Sequence, residues 1–297
     1  MTIFRSNNNK DVRQGMNYAA EATLVRTGFQ FLEGPVWLEP GSALLEAARN
    51  EGGGLIFSDI PASRLYCLVD GETAILREPS GEANGNALDH RGALLSCEHR
   101  NRRISRFDGA DDVASVVERY DGKRLNSPND VAVRSDGMIF FTDPPYGVDE
   151  ADRELDFQGV FCVKPGSAEP TLLADDFVKP NGLAFSRDEQ TIYIADTERG
   201  HLRRFAVAAD GSLTDGDVFC TCERPDGICV DVAGRVWVAC MKGVELFEPD
   251  GSRAAFVALP ERPANLAFGD ADLATVYVCA RTSLYAVRSD VAGVLGG

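Results

Sequence analysis

Six short apolar runs spread through the chain share one pattern, and that regularity restricts the fold more than any other feature. They are FLEGPVW (Phe31 to Trp37), EANGNAL (Glu82 to Leu88), SPNDVAV (Ser127 to Val133), KPNGLAF (Lys179 to Phe185), RPDGICV (Arg224 to Val230) and RPANLAF (Arg262 to Phe268). Aligned, they give a column of Glu33, Asn84, Asn129, Asn181, Asp226 and Ala264, whose members lie 51, 45, 52, 45 and 38 residues apart. A turn follows each run, such as Ser135-Asp136-Gly137, and then a second apolar run: LIFSD, LLSCE, MIFFTD, TIYIAD, VWVAC and VYVCA. Two β-prone runs around a Gly/Asp turn make a hairpin, and hairpins recurring near 45 residues are the mark of propeller blades.

The expected fold is therefore all-β: a six-bladed β-propeller with four-stranded antiparallel blades around a central channel. Residues 1–20 are expected to be a partly irregular N-terminal arm, and residues 21–297 a single propeller domain. Helical periodicity is confined to GSALLEAARN (Gly41 to Asn50), one or two surface turns. Thr23-Leu24-Val25 could add a strand to the last blade beside Ser283 to Val287, closing the ring and removing its edges. Trp37 and Trp237 fall on strand positions suited to packing between blades. A seven-bladed ring has too little chain left to build it.

The first strand of each propeller blade lines the channel, so the column side chains should meet at one mouth of it. A second column, Asp59, Glu98, Asp143, Asp196, Cys240 and Ala280, ends the second strands, 14 residues after the first column in three of the units. Antiparallel pairing brings it to the same rim. Oxygen donors facing one cavity either repel one another or hold a cation, and carboxylates with amides suit a hard divalent ion. The competing reading is that Asn-Gly and Asp-Gly simply form turns; Glu33, a poor turn residue, does not fit it. An ion open on one side polarises a carbonyl and acidifies water, which serves hydrolysis of a lactone, ester or phosphoester.

Other chemistries lack their residues. There is no G-x-S-x-G elbow, no Ser-His-Asp set around His90, His99 and His201, and no phosphate-binding glycine loop. The eight cysteines are scattered, mostly within strand-like runs, and Cys220-Thr-Cys222 has no second pair at zinc spacing. Buried thiols, with no signal-peptide pattern in MTIFRSNNNKDVRQ, lead to the expectation of a reducing, cytoplasmic setting. A net charge of −16 disfavours nucleic acid and anionic membranes as partners, and no apolar run is long enough to span a bilayer. A monomer or small homo-oligomer is expected.

As a set and in this order, FLEGPVW, RLNSPNDVAV, FTDPPYG, KPNGLAFSRDEQTIYIADT and RPDGICVDVAGRVWVA resemble the gluconolactonase/senescence marker protein (regucalcin) family, from about Phe31 to Tyr285. The longer NSPND and DPPYG forms are nearer its bacterial gluconolactonase branch. The resemblance implies a six-bladed propeller, one divalent ion and hydrolysis of a sugar lactone. It implies Glu33, Asn181 and Asp226 as metal ligands and Asn129 in the substrate pocket. Ser127 stands where the animal members carry an arginine, so substrate hydroxyls would be held differently here. Ca²⁺ is the first expectation for the ion, with Zn²⁺, Mg²⁺ and Mn²⁺ as alternatives. Asp226 would be the base for the attacking water, or water ionised at the metal would attack directly, with Asn129 orienting the substrate.

Around this set, Glu98, His99 and Tyr146 are candidates to contact the substrate, and Asp196 and Asn84 to support the ligands. The acidic loop VDEADRELD (Val148 to Asp156) reads as a solvated excursion. The alternatives are a broader lactonase, esterase or organophosphate hydrolase on the same scaffold, and a non-catalytic propeller that binds a ligand or protein.

Overall fold

Apolar strands with no polar face need cover on both sides, and a ring of radially stacked sheets supplies it. The computed structural model describes residues 21–48, 52–109 and 112–294; the expected N-terminal arm over residues 1–20 lies outside them. Six four-stranded antiparallel sheets form the blades. Blade 1 comprises Leu32–Leu38, Gly54–Asp59, Arg64–Val69 and Glu72–Arg77; blade 2, Ala83–Leu88, Leu94–Glu98, Arg103–Phe107 and Ala114–Val117. Blade 3 comprises Val131–Val133, Ile139–Asp143, Gly159–Val163 and Pro170–Ala174; blade 4, Pro180–Phe185, Thr191–Asp196, His201–Val207 and Leu213–Thr221. Blade 5 comprises Ile228–Val230, Val236–Cys240, Gly243–Phe247 and Arg253–Ala258; blade 6, Asn265–Gly269, Thr275–Ala280, Ser283–Arg288 and, from the start of the chain, Thr23–Thr27.

That last strand is the expected closure: Thr23 pairs with Ala286 and Thr27 with Ser283, so the two ends of the chain share one blade. The helical stretch is a short 3-10 helix of about two turns, Ala43–Ala48. A two-stranded ribbon, Arg119–Tyr120 with Lys123–Arg124, stands outside the blades.

The core is divided among the six gaps between blades. Because successive residues of a strand face opposite sides, Phe140 packs toward blade 4 with Leu183, Phe185 and Ile194, while Phe141 packs toward blade 2 with Leu95, Ile104 and Val117. Both phenylalanines are fully buried. Truncating either to Ala would cost about 3–5 kcal/mol. Trp37 stacks on Tyr277 between blades 1 and 6, and Trp237 meets Phe268 edge-on between blades 5 and 6. The acidic loop is not a free excursion: Leu155 is buried in the core between blades 2 and 3, and Arg102 Nη1 donates to the Asp152 carbonyl at 3.0 Å. One inserted leucine docks the loop despite its charges.

Candidate functional site

Near the axis the first strands approach so closely that side chains must be omitted. A Cβ on Gly34 would lie 2.1 Å from the Asn84 carbonyl oxygen, and one on Gly182 would lie 2.3 Å from that of Asp226. Gly85 and Gly227 are pressed in the same way by the next blade. The Asn-Gly and Asp-Gly pairs are thus not turns. Their glycine admits the neighbouring blade and their polar residue faces the channel mouth. Where blades 3 and 6 carry Asp130 and Asn265 at the glycine position, those side chains fill the space, and Asn265 Nδ2 donates to Asp130 Oδ2 at 3.4 Å.

Above this plug lies a cavity of about 180 Å³ lined by Glu33, Asn84, Asn129, Asn181 and Asp226, with His99, Tyr146, Phe31, Ile60, Arg224 and Arg262. Five members of the first column therefore converge from five blades. A larger cleft of about 870 Å³ shares Ile60, His99 and Tyr146 with it and includes Arg102 and Arg124 in its walls.

Four of the five column side chains, those of Glu33, Asn84, Asn181 and Asp226, are held by hydrogen bonds. Glu33 Oε2 accepts the Gly34 amide at 2.9 Å. Asn181 Nδ2 donates to Thr197 Oγ1 at 3.0 Å and to Tyr146 Oη at 3.2 Å, committing the amide nitrogen to protein oxygens. Asn84 Nδ2 lies 3.1 Å from His99 Nε2, and Arg262 Nη2 donates to Asp226 Oδ2 at 3.1 Å. The site is short of positive charge at its centre. Burial, then the charges of Asp226 and Asp130, raise Glu33 well above the usual carboxylate range. Burial raises Asp226 to about 6, against the pull of Arg262, Asn181 and Arg224. Asp130, beneath, is raised by burial to about 7. His99 is lowered by burial to about 4 and is neutral near pH 7.

These residues fit a hard cation. Among the described residues no group of three or more His, Cys, Asp or Glu is arranged to ligate a metal; the converging donors are two carboxylates and carboxamides. Oxygen donors with excess negative charge in a buried cavity suit Ca²⁺, Mg²⁺ or Mn²⁺.

The second column does different work. Asp59 accepts the amides of Gln30 and Phe31, each at 3.0 Å; Asp143 those of Asn126 and Ser127 at 2.7 and 2.8 Å; Asp196 those of Val178 and Lys179 at 2.9 and 3.1 Å. Each carboxylate clamps the chain as it enters its own blade's first strand, so Asp196 positions Asn181 through the backbone. Glu98 departs from this pattern: fully buried, it is paired with Arg77 and Arg103 and does not line the cavity. Burial raises its pKa, but hydrogen bonds from Arg103 and Arg77 outweigh this and hold it below the usual range. Glu98 is the last residue of its strand, and His99, in the turn that follows, faces the cavity instead. Asn84 is itself a wall of the cavity rather than a support behind it.

Sequence reasoning missed Asp130, Asn265, Arg224 and Arg262. The first two stand in the column's glycine position, a visible signal. The arginines share a Glu-Arg-Pro tripeptide, Glu223-Arg224-Pro225 and Glu261-Arg262-Pro263, that opens the fifth and sixth units. Arg262 supplies the polar group that Ala264 does not.

Comparison with known proteins gives the same neighbourhood. The family model described as SMP-30/Gluconolactonase/LRE-like region matches residues 31–282. A gluconolactonase of Zymomonas mobilis is 29% identical over 303 residues, covering 91% of this chain and 82% of the relative. A pentonolactonase of Haloferax volcanii is 29% identical over 268 residues, covering 86% and 83%. The solved structure of a gluconolactonase from Xanthomonas campestris superposes with a TM-score of 0.80 at 34% identity, covering 91% of this chain and 89% of that one.

Proposed function

Because this chain belongs to the SMP-30/gluconolactonase/LRE-like family, we propose that it is a metal-dependent lactonase that opens a sugar lactone, an aldonolactone, to the hydroxy acid. Relatives named for gluconolactone and pentonolactone hydrolysis support the substrate class. The observation that carries the reading is the meeting of Glu33, Asn129, Asn181 and Asp226, from four blades, in one small buried cavity. Glu33, Asn181 and Asp226 would hold the ion, with Ca²⁺ the first choice. When bound, such an ion supplies Lewis-acid polarisation of the carbonyl and lowers the pKa of water.

The chain's own residues do the rest. Asp226, a carboxylate in the wall of the cavity, would take the proton from the attacking water. Asn129 offers an amide to orient the lactone ring. His99, neutral and joined to Asn84, and Tyr146, joined to Asn181, offer hydrogen bonds to ring hydroxyls where the cavity meets the larger cleft. Phe31 and Ile60 supply the apolar part of the wall. Glu98, buried in its arginine pairs, contributes by fixing the strand that presents His99.

The test is protein stripped of metal, reloaded with single ions and assayed for acid release from a panel of aldonolactones. Acid release that depends on the ion is expected, and Asp226→Ala should abolish both ion retention and turnover. A stripped enzyme as active as the loaded one, or full activity in Asp226→Ala, rejects the reading.

A further inference from the structure

Lactone opening changes charge inside the cavity. Water adds to the carbonyl carbon, the ring C–O bond breaks, and the ring oxygen leaves as a hydroxyl carrying a proton. The neutral substrate becomes a carboxylate, and one proton is released. The new anion forms in a space already walled by Glu33 and Asp226. Two guanidinium groups line that space, and they are differently engaged. Arg224 is turned to the rim, with Nη2 3.2 Å and Nη1 3.4 Å from Glu198. Arg262 reaches inward, with Nη2 3.1 Å from Asp226 Oδ2 and its side chain 27% exposed.

We propose that Arg262 is a further catalytic residue, the group that receives the negative charge created as the lactone opens and then holds the product carboxylate. The assignment rests on the lactonase reading. A guanidinium presents several N–H donors in a plane matched to a carboxylate, and its attraction to a neutral lactone is weak. The interaction therefore grows along the reaction, the condition for accelerating it. The same charge opposes a divalent ion at Asp226. Removing it should move cation binding and anion binding in opposite directions, which the loss of a merely structural prop would not do.

The experiment is calorimetric titration of wild type, Arg262→Met and Arg262→Lys with Ca²⁺, and then of the Ca²⁺-saturated proteins with gluconate, alongside steady-state kinetics on the lactone. In Arg262→Met, Ca²⁺ should bind several-fold more tightly and gluconate at least ten-fold more weakly. Its kcat should fall at least ten-fold while KM for the neutral lactone stays within about three-fold, and Arg262→Lys should lie between. Tighter Ca²⁺ binding also certifies that the variant is folded. Loss of Ca²⁺ affinity together with gluconate affinity would overturn the assignment, making Arg262 a prop for Asp226. Wild-type gluconate affinity in Arg262→Met, in an enzyme that opens lactones, would overturn it and leave the lactonase reading standing. Failure of wild type to open any lactone would remove both.

Discussion

Gly182 shows how one residue's meaning changes between sequence and structure. In sequence, Asn181-Gly182 has the composition of a turn; in the fold it lies within the first strand of blade 4, where the Asp226 carbonyl would sit 2.3 Å from a Cβ and the Gly227 Cα 2.7 Å. Both are backbone atoms, so neither can rotate aside. Gly182→Ala must push blades 4 and 5 apart at the point where Asn181 and Asp226 face each other. Urea unfolding should show a loss of about 1–3 kcal/mol, and calorimetry a Ca²⁺ affinity at least ten-fold lower; wild-type values for both would refute the close-approach account. That the column is polar could be read from composition alone, but its glycines owe their place to a neighbour about 45 residues away, which local turn chemistry does not contain. His99 carries a pH effect at the same scale. Its pKa is lowered by burial to about 4 from a usual value near 6.5, so between those values the unfolded chain binds a proton that the native state refuses. Its contribution to stability is complete above pH 6.5 and lost as pH falls toward 4. Unfolding free energies measured from pH 4.5 to 7 should rise less steeply in His99→Asn than in wild type.

Among elements, inner strands were legible and outer ones, apart from Thr23–Thr27, were not, for a reason visible in their burial. Phe140 and Phe141 each face a neighbouring blade, so their strand is apolar throughout and stands out. The outermost strand of blade 1, Glu72–Arg77, has no fully buried residue and mixes Glu, Thr, Ala and Arg with adjacent Ile75 and Leu76; that pattern lacks the alternation that marks a strand. The acidic residues ending the second strands lie where the repeat places them, and Asp196 supports Asn181 as expected, but that Asp59 and Asp143 clamp amides in the same way was not readable. A carboxylate that clamps two amides and one that meets a ligand are the same letter, and only the path of the entering chain separates them. Thr23–Thr27 was legible because Ser283–Arg288 would otherwise be an open edge. Val25 also packs against the core between blades 6 and 1, so deleting residues 1–27 removes both pairing and packing. The truncated protein should melt at lower temperature and associate through the exposed strand, seen as a rise in light scattering at temperatures where the full chain stays monodisperse. A truncated protein with an unchanged melting temperature would mean that the ring does not depend on this closure.

For the whole molecule, the site and the ring are one structure. No single blade contains the cavity: Glu33 comes from blade 1, Asn84 from blade 2, and Asn129, Asn181 and Asp226 from the entries to blades 3, 4 and 5. Each is fixed by contacts with the adjoining blade, as in the Thr142 Oγ1 bond to the Asn181 carbonyl at 2.8 Å and the Thr197 Oγ1 bond to the Pro225 carbonyl at 2.7 Å. An ion held by blades 1, 4 and 5, as proposed above, would therefore bind only the closed ring and stabilise all of it. At a free Ca²⁺ concentration a hundred times Kd, the linkage amounts to about 2.7 kcal/mol, a rise in Tm of roughly 5 °C for a chain of this size. Calorimetry with chelator and then with Ca²⁺ should show one cooperative transition moving upward without splitting. A Ca²⁺ effect confined to a minor early transition, with the main one unmoved, would mean that the cavity opens independently of the ring. The shared blade contacts would then fail to account for the position of the site.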